Sequence, residues 1–341
     1  MKNFAFTKTE IIEYLRGEND EYLFDAAKNI RQKYFGKEVF LRGIIEFSNY
    51  CHVHCNYCGL RKSNQNANRY RLTDDEIYEC IDTIIANDLG TIVFQSGENT
   101  TDDIQRLAAI IRETKHKHDL AVTLSLGEHS MDTYKRLKDA GADRYLLRIE
   151  TFDESIYEKA RPGRKLSHRL ECLEILKKLD FEVGSGFMVG LPGETVETLA
   201  ENIIKLTEMD LDMIGIGPFI AHPETPFRNF PSGNYQLSLR TLALVKLMNP
   251  LANMPATSAM ESVQKGGRIR SLEIGMNVLM PTVTPAKIKG NYNIYPGKNT
   301  YIKADNEIIE IKKILKSAGF TYSGVRGDSL KYKKKHKLQG A

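Results

Sequence analysis

Short apolar runs rich in β-branched residues recur along the chain, and longer stretches with helical periodicity separate them. Apolar residues at every third or fourth position indicate amphipathic helices, whereas short continuous apolar runs indicate buried strands. Strands that alternate with helices in this way predict a parallel sheet covered by helices. We predict eight strands, at Val39–Phe47, Thr91–Gly97, Leu120–Gly127, Arg144–Glu150, Glu182–Gly190, Met213–Ile220, Met254–Met260 and Asn277–Val283.

The helical stretches begin with typical capping residues. Thr73 and Glu76 have the spacing of a capping box, and Ser130, Ser167 and Thr195 precede three further helices. Eight strand–helix units predict an α/β fold of the (β/α)8 TIM-barrel type. A partial barrel of six units is the alternative, because a count from one sequence can err by a unit or two.

The same pattern divides the chain into three regions. Residues 1–36 contain two amphipathic stretches, which we predict to be an N-terminal helical extension that packs on one end of the barrel. Residues 37–320 are predicted to form the barrel. Residues 321–341 contain the basic run Lys331–Lys337 and are predicted to be a basic C-terminal tail.

Composition narrows the possible classes of function. The 341 residues include 48 Lys and Arg against 44 Asp and Glu, so the net charge is only +4. A basic run confined to one terminus is typical of a solvated segment, and we expect no nucleic-acid partner. No apolar run is long enough for a membrane span, so we expect no membrane association. Free thiols predict a cytoplasmic location.

Three of the five cysteines lie in one short segment, where Cys51, Cys55 and Cys58 have the spacing C-x3-C-x2-C. Three thiolates on one loop can hold three irons of a 4Fe–4S cluster and leave the fourth iron open. The alternative is a zinc site completed by His52 or His54, although both lie too close to the cysteines to complete a tetrahedron easily. A non-catalytic scaffold that carries a cluster or zinc also stays open at this point.

Polar residues concentrate where the predicted strands end. Gln95–Glu98, Ser125–Glu128 and Arg148–Thr151 end the second, third and fourth strands, and Met188–Glu194 ends the fifth. In a barrel of parallel strands the active site lies at these carboxyl ends. The cysteine segment follows the first strand, so all of these residues are predicted to meet at one end of the barrel.

The cysteine spacing, with the aromatic Tyr57 directly before Cys58, resembles the radical S-adenosylmethionine (SAM) superfamily. The resemblance implies that the open iron chelates the amino and carboxylate groups of SAM, and that one electron cleaves SAM to a 5′-deoxyadenosyl radical. It implies two cofactors, SAM and one 4Fe–4S cluster held by Cys51, Cys55 and Cys58. The residues that would bind SAM are Tyr57, Gln95, Ser96, Gly97, Ser125, Glu150, Arg169 and Met188.

Several of these residue types suit one part of SAM. Backbone carbonyls of Ser96–Glu98 would accept from the ammonium group, and Arg169 would pair with the carboxylate. Glu150 would accept hydrogen bonds from the ribose hydroxyls, and the small residues in Gly186–Gly193 would let the backbone approach the adenine. A structural alternative stays open for Glu150, which could form an ion pair with Arg148 at the barrel rim.

Longer segments narrow the resemblance to the HydE family, maturases of FeFe-hydrogenase. Similar segments occur in the same order from about residue 31 to residue 298, among them Cys58–Arg61, Arg69–Thr73, Gln95–Glu98 and Tyr295–Lys298. The resemblance implies a small organometallic substrate, a cysteine-bound iron with carbon monoxide and cyanide ligands. It would come from the maturase HydG, and the product would go toward HydF. The residues that would line the substrate cavity are Arg148, Met213, Thr257, Ser258, Tyr292 and Tyr295, although a methionine such as Met213 usually packs in a core.

Two other radical SAM enzymes are the alternatives, with methylornithine synthase the nearer and biotin synthase the more distant. Methylornithine synthase would share the barrel and rearrange an amino acid. Biotin synthase would need a second cluster, held by cysteines on later strands that this chain lacks. Some HydE proteins also hold a second cluster, with cysteines after the position of Lys298. No cysteine follows Lys298 here, so a second cluster is predicted absent.

Overall fold

The computed structural model describes residues 5–98, 101–297 and 303–337. Lys298, the last residue of one motif above, therefore lies outside the described residues. The helices are α1 (Lys8–Arg16), α2 (Asp20–Phe35), α3 (Asp74–Ala86), α4 (Thr101–Lys117), α5 (Met131–Asp139), α6 (Glu154–Ala160), α7 (Leu166–Lys178), α8 (Val196–Glu208), α9 (Tyr235–Met248), α10 (Ser258–Val263), α11 (Gly267–Glu273), α12 (Ala286–Lys289), α13 (Ala304–Ser317) and α14 (Leu330–Lys337). No described helix is both long and apolar enough to cross a membrane.

The strands form a ring of parallel neighbours. They are β1 (Glu38–Leu41), β2 (Gly43–Ser48), β3 (Thr91–Ser96), β4 (Ala121–Ser125), β5 (Arg144–Leu146), β6 (Glu182–Ser185), β7 (Met188–Val189), β8 (Met213–Ile214), β9 (Gly217–Pro218), β10 (Val278–Leu279) and β11 (Thr321–Ser323). One sheet has the order β2-β3-β4-β5-β6-β8, and β1 pairs with β10. Parallel bridges close the ring, at Met213 with Asn253, Pro255 with Val278, and Ile44 with Thr282. The predicted TIM-type α/β fold is confirmed.

Several strands are shorter than the apolar pattern predicted. The seventh, predicted at Met254–Met260, is reduced to single bridges, and α10 begins at Ser258. Pro255 has no amide hydrogen to donate to a ladder, which limits regular pairing at this position. The first prediction divides at Arg42 into β1 and β2, and the fifth and sixth each divide into two short pieces. An apolar run thus marked the position of each barrel segment but not its hydrogen bonding.

Local capping fixes where helices begin, as predicted for α3. Thr73 Oγ1 accepts a hydrogen bond from the amide of Glu76 at 3.2 Å, and the Glu76 carboxylate accepts one from the amide of Thr73 at 3.0 Å. These bonds satisfy amides that the first turn of a helix leaves free. The apolar face of α3, including Cys80, is buried against the barrel.

The N-terminal extension consists of α1 and α2. Ile11, Leu15, Leu23 and Ala27 are buried and belong to the main hydrophobic core. The two helices pack on the outer helices α8 and α9, so they extend the helical layer of the barrel and do not cover one end alone.

The C-terminal region differs from the predicted tail. Strand β11 pairs in parallel with β1, and Glu38 lies opposite Thr321. Asp328 accepts from the guanidinium of Arg144, a residue of β5 that is fully buried. The amide of Ser329 donates to Glu182 at 2.8 Å. Residues 321–329 therefore belong to the amino-terminal end of the barrel and are not a free tail.

Candidate active site

A cavity of about 310 Å³ lies at the carboxyl ends of the strands. Predicted site residues from distant parts of the chain meet there. Those that line the cavity are Cys51, Cys55, Tyr57, Cys58, Gln95, Ser96, Gly97, Ser125, Arg148, Glu150, Arg169, Met188, Thr257, Ser258, Tyr292 and Tyr295. The residues named from the motifs and from the family resemblance therefore lie on the cavity wall, with one exception.

That exception is Met213, which the structure places away from the cavity wall. Its sulfur lies 3.1 Å from Nη1 of Arg42, and its side chain packs on Gly184. Met213 is buried, with 5% of its surface exposed. Core packing, the duller of its two predicted roles, is what the geometry supports.

The loop that carries the three cysteines is closed by Arg69. Its guanidinium donates to the carbonyl of Asn49 at 2.6 Å, to that of Leu60 at 2.9 Å and to that of Arg61 at 2.8 Å. One side chain thus ties the residues before the cysteines to the residues after them. Arg69 was noticed only as part of a motif, because nothing in its spacing indicated which carbonyls it would reach.

The three cysteine thiols need a nearby positive charge to be held together as thiolates. Burial raises the pKa of all three thiols, and neighbouring Cys55 and Cys51 raise that of Cys58 further. A bound iron–sulfur cluster supplies the positive charge that keeps coordinating thiols deprotonated. The donor set of three cavity-lining thiols would fit a 4Fe–4S cluster, whose fourth iron would have no cysteine ligand from this loop.

The two histidines of this loop are engaged elsewhere. Nδ1 of His52 lies 2.6 Å from the carbonyl of Glu98, and Nδ1 of His54 lies 3.2 Å from the hydroxyl of Ser63. Across residues 5–98, 101–297 and 303–337, no three His, Cys, Asp or Glu side chains are grouped for a single metal ion. Both histidines thus use Nδ1 in hydrogen bonds to the chain, outside the set of three thiols.

A buried cluster of two arginines and two glutamates lies beside the cysteines. Arg161 donates to Glu98 at 2.7 Å, and Arg169 Nε lies 2.8 Å from Glu128. Arg169 also donates to the hydroxyl of Tyr157 at 3.1 Å. Sequence reasoning selected Arg169 alone, although the two glutamates end the second and third strands, where polar residues were expected to matter.

The charges in this cluster are strongly coupled. Burial alone would raise the pKa of Glu98, but Arg161 and Arg169 outweigh it and lower the pKa to about 2. Glu98 is therefore ionised at neutral pH. Neither carboxylate oxygen of Glu128 has a well-formed hydrogen bond within the described chain, although Arg169 is close. Buried polar groups with incomplete hydrogen bonding, such as this carboxyl group, can form hydrogen bonds with a ligand.

Gly97 permits a close approach between β3 and the cysteine loop. A Cβ atom there would lie 2.3 Å from the carbonyl oxygen of Tyr50 and 2.6 Å from Cβ of Cys51. The hydroxyl of Ser96 donates to the Gly97 carbonyl at 2.7 Å, which leaves that oxygen a second lone pair. The absence of a side chain at Gly97 thus brings backbone acceptors next to the metal-binding loop.

Glu150 and Arg148 lie next to each other on the cavity wall. Nη2 of Arg148 lies 3.2 Å from Oε2 of Glu150 and donates to the Phe187 carbonyl at 2.8 Å. The ion pair predicted as the structural alternative is present, yet both side chains line the cavity. Oε2 of Glu150 makes no well-formed hydrogen bond to the described residues, so it remains available as an acceptor.

Another part of the cavity wall carries hydroxyl groups and a further arginine, Arg268. The hydroxyls of Ser258 and Tyr295 lie 2.5 Å apart, and Arg268 lines the same cavity. Nε of Arg268 and Nε of Arg148 are buried and make no hydrogen bond to any described residue. Arg268 was missed, because it lies in α11, away from the strand ends on which the sequence analysis concentrated.

Comparisons with known proteins agree with this geometry. The family model of the radical SAM superfamily matches residues 45–206. The HydE subunit of FeFe-hydrogenase maturase from Thermotoga maritima is 46% identical over 308 residues, which cover 89% of this chain and 88% of that protein.

Solved structures show the same fold at low sequence identity. Methylornithine synthase superposes with a TM-score of 0.82 at 24% identity, covering 94% of this chain and 95% of that one. The maturase HydG from Carboxydothermus hydrogenoformans superposes with a TM-score of 0.79 at 19% identity, covering 94% and 76%. The chain belongs to the radical SAM superfamily, in the same family as the HydE protein of Thermotoga maritima, and is an enzyme that uses a 4Fe–4S cluster and SAM.

Proposed function

We propose that this enzyme acts in the maturation of FeFe-hydrogenase, on a small cysteine-bound iron complex with carbon monoxide and cyanide ligands. The observation that carries the proposal is the 46% identity to a HydE protein over nearly the whole of both chains. The cavity supports it, because polar groups line the wall beyond the proposed SAM site.

In this proposal one wall of the cavity holds SAM. A 4Fe–4S cluster held by Cys51, Cys55 and Cys58 would supply the electron for reductive cleavage of SAM. Arg169 orients the methionine carboxylate, and the Gly97 carbonyl accepts from the ammonium group. Glu150 accepts from a ribose hydroxyl, while Tyr57 and Met188 flank the adenine. These residues fix the cofactor from several sides, which holds the sulfonium in one orientation beside the cluster site.

The other groups bind the substrate. Arg148 and Arg268 offer buried guanidinium nitrogens without partners in the described chain, which suits an anionic molecule such as a complex that carries a carboxylate and cyanide. The hydroxyls of Ser258 and Tyr295, with Thr257 and Tyr292, orient it. A cavity enclosed by the barrel excludes water, which protects reactive species from side reactions.

Maturases of the same pathway are the proposed partners. We expect HydG to supply the substrate and HydF to receive the product. We also expect a cytoplasmic location, because every cysteine is free and metal binding requires reduced thiols.

The proposal is tested by in vitro maturation. The anaerobically reconstituted protein would replace HydE in a mixture of HydG, HydF and hydrogenase that lacks its active-site cluster, with hydrogen evolution as the readout. We expect activity with the wild-type protein and none with Cys55→Ala. SAM cleavage without any hydrogenase activation would contradict the proposed substrate. Methylornithine formation from free amino acids would identify the alternative function instead.

A further inference from the structure

Two loops of the cavity rim are joined by a pair of side chains that do not line the cavity. Oδ1 of Asn202, on α8, accepts from the amide of Phe152 at 2.7 Å. Nδ2 of Asn202 donates to Oε1 of Glu194 at 3.2 Å. Oε2 of Glu194 accepts from the amide of Gly190 at 2.6 Å. The three hydrogen bonds form one chain between the loop after β5 and the loop after β7.

Each of the two joined segments carries a residue that the proposed function assigns to SAM, Glu150 in the loop after β5 and Met188 at the start of β7. Glu150 precedes Phe152 by two positions, and Met188 precedes Gly190 by two. The backbones of the two loops also meet directly, because the amide of Met188 donates to the Glu150 carbonyl at 3.1 Å. The chain of hydrogen bonds through Asn202 therefore fixes the segments on which both SAM residues lie.

Glu150 needs such support because its backbone is strained. Its φ of +68° lies in the left-handed region, which costs a residue with a side chain about 1–2 kcal/mol. Strained residues persist where the surroundings determine their conformation, and they cluster at functional sites. Asn202 is 1% exposed and bonds to the second residue after Glu150, so it is well placed to hold this conformation.

We propose that Asn202 and Glu194 are positioning residues that set the Glu150 and Met188 segments for SAM binding. The inference rests on the SAM roles assigned to those two residues under the proposed function. It predicts that SAM affinity depends on the match between donors and acceptors in the pair.

A swap of the two functional groups tests this idea. In Glu194→Gln, an amide NH2 group faces the Asn202 side chain, and whichever way the two amides turn, two donors oppose each other. In Asn202→Asp, two buried carboxylates oppose each other. In the double variant, the new amide at position 194 can accept from Gly190 and donate to the new carboxylate at position 202, which still accepts from Phe152. All three hydrogen bonds are then restored.

The measurement is the SAM dissociation constant of anaerobically reconstituted protein at pH 8.5, above the raised pKa of Glu194, which burial brings to about 7. We expect each single variant to bind SAM about tenfold more weakly, equivalent to about 1.4 kcal/mol. The double variant should return to within about threefold of the wild type, which is the signature of coupled residues. Iron content should be the same in all four proteins.

Asn249→Asp is the matched control. Asn249 is also a buried asparagine, 3% exposed, and its Nδ2 donates to Thr207 Oγ1 at 2.9 Å on the outer helices. It should lower the melting temperature without changing SAM affinity. Unchanged affinity in both single variants, or no recovery in the double variant, would overturn the proposal while wild-type binding keeps the SAM assignments intact. A wild-type protein that fails to bind SAM would overturn those assignments together with this proposal.

Discussion

The two ends of the barrel both contain a buried cluster of arginines and carboxylates, but the two clusters are completed differently. At the amino-terminal end, Arg144 donates to Glu182 at 3.1 Å, to Thr91 at 3.1 Å, and to Asp328 at 2.5 Å. Every guanidinium nitrogen of Arg144 has a partner from the chain itself, although Nε of the neighbouring Arg42 makes no well-formed hydrogen bond to a described residue. At the carboxyl-terminal end, Nε of Arg161 and both carboxylate oxygens of Glu128 have no well-formed hydrogen bond within the described residues.

The comparison separates residues that stabilise the fold from residues that are available for chemistry. Buried charges whose hydrogen bonds are complete hold a structure in place, but they have nothing left to offer a ligand. Buried charges that are incompletely bonded reduce stability unless a ligand completes them. Residues 321–329 close the amino-terminal end of the barrel, whereas the carboxyl-terminal end is left for the cofactors and substrate.

The largest expected effect comes from the cysteine loop. We expect Cys55→Ala to lose the 4Fe–4S cluster and all SAM cleavage while the fold is kept, because one thiolate ligand of the cluster is gone. Iron content and circular dichroism measure the two outcomes. Cys172→Ala is the control, since Cys172 is fully buried on α7 outside this loop and should retain iron. Normal iron content in Cys55→Ala would refute the ligand assignment.

At the opposite end, Arg144→Leu should affect stability and leave chemistry alone. Removal of one partner from a buried ion pair leaves an uncompensated charge, here on Glu182, and costs about 3–5 kcal/mol. The free energy of unfolding from urea titration measures this. Lys135→Ala, which removes an exposed pair with Asp139, should cost less than about 1 kcal/mol. Weaker SAM binding by folded Arg144→Leu would break the proposed separation.

Arg169→Gln tests the carboxyl-terminal end. Loss of a charge-assisted hydrogen bond, worth about 1.5–3 kcal/mol, should weaken SAM binding roughly 10- to 100-fold. Iron content should be unchanged, because Arg169 is not a metal ligand. Equilibrium binding of SAM to the reconstituted protein provides the measurement. An unchanged dissociation constant would mean that Arg161 or another cation binds the carboxylate.

A smaller effect concerns Lys246, a buried cation at neither end. Its Nζ donates to the Ala252 carbonyl at 3.1 Å and lies 4.3 Å from the ring centre of Phe35. Burial, together with smaller contributions from Arg31 and Lys331, lowers the pKa of Lys246 to about 7. An unfolded lysine keeps its proton to about pH 10.4.

Because the unfolded chain binds more protons than the folded chain between these pH values, Lys246 should make stability rise as pH increases from about 7 to about 10. Lys246→Met should flatten this part of the curve and be the more stable protein at neutral pH. Urea titrations at several pH values compare the two proteins. Parallel curves would show that Lys246 stays protonated in the folded state.

The fold was largely predictable because the barrel segments are apolar runs separated by helices, several of which are capped as predicted, at Thr73, Ser130 and Thr195. Ser167 was predicted to precede a helix but lies within α7, which begins at Leu166 without a side-chain cap. Other predictions that failed concern strand pairing between segments that are distant in the sequence. The bridges around Pro255 replace a regular strand, and β11 pairs with β1 from the other end of the sequence. Such pairing leaves little trace in local periodicity, since three residues are too few to show alternation.

The site was predictable where residues follow strand ends or share a motif. Arg161 and Arg268 were missed because they lie on or beside helices and line the cavity only once the chain is folded. Met213 was assigned to the cavity by resemblance. Its contact with Arg42 shows that Met213 packs in the core below the cavity. A family resemblance identifies which residues lie near a site, whereas the direction in which each side chain points is known only from the structure.

One measurement tests the central claim, that the carboxyl-terminal end of this barrel binds a cluster and SAM together. The protein would be reconstituted anaerobically, reduced with dithionite, and examined by EPR with and without SAM, followed by an assay for 5′-deoxyadenosine. We expect a reduced 4Fe–4S signal that shifts when SAM is added, and cleavage of SAM. Stoichiometric zinc, with no cluster signal and no 5′-deoxyadenosine, would contradict the account.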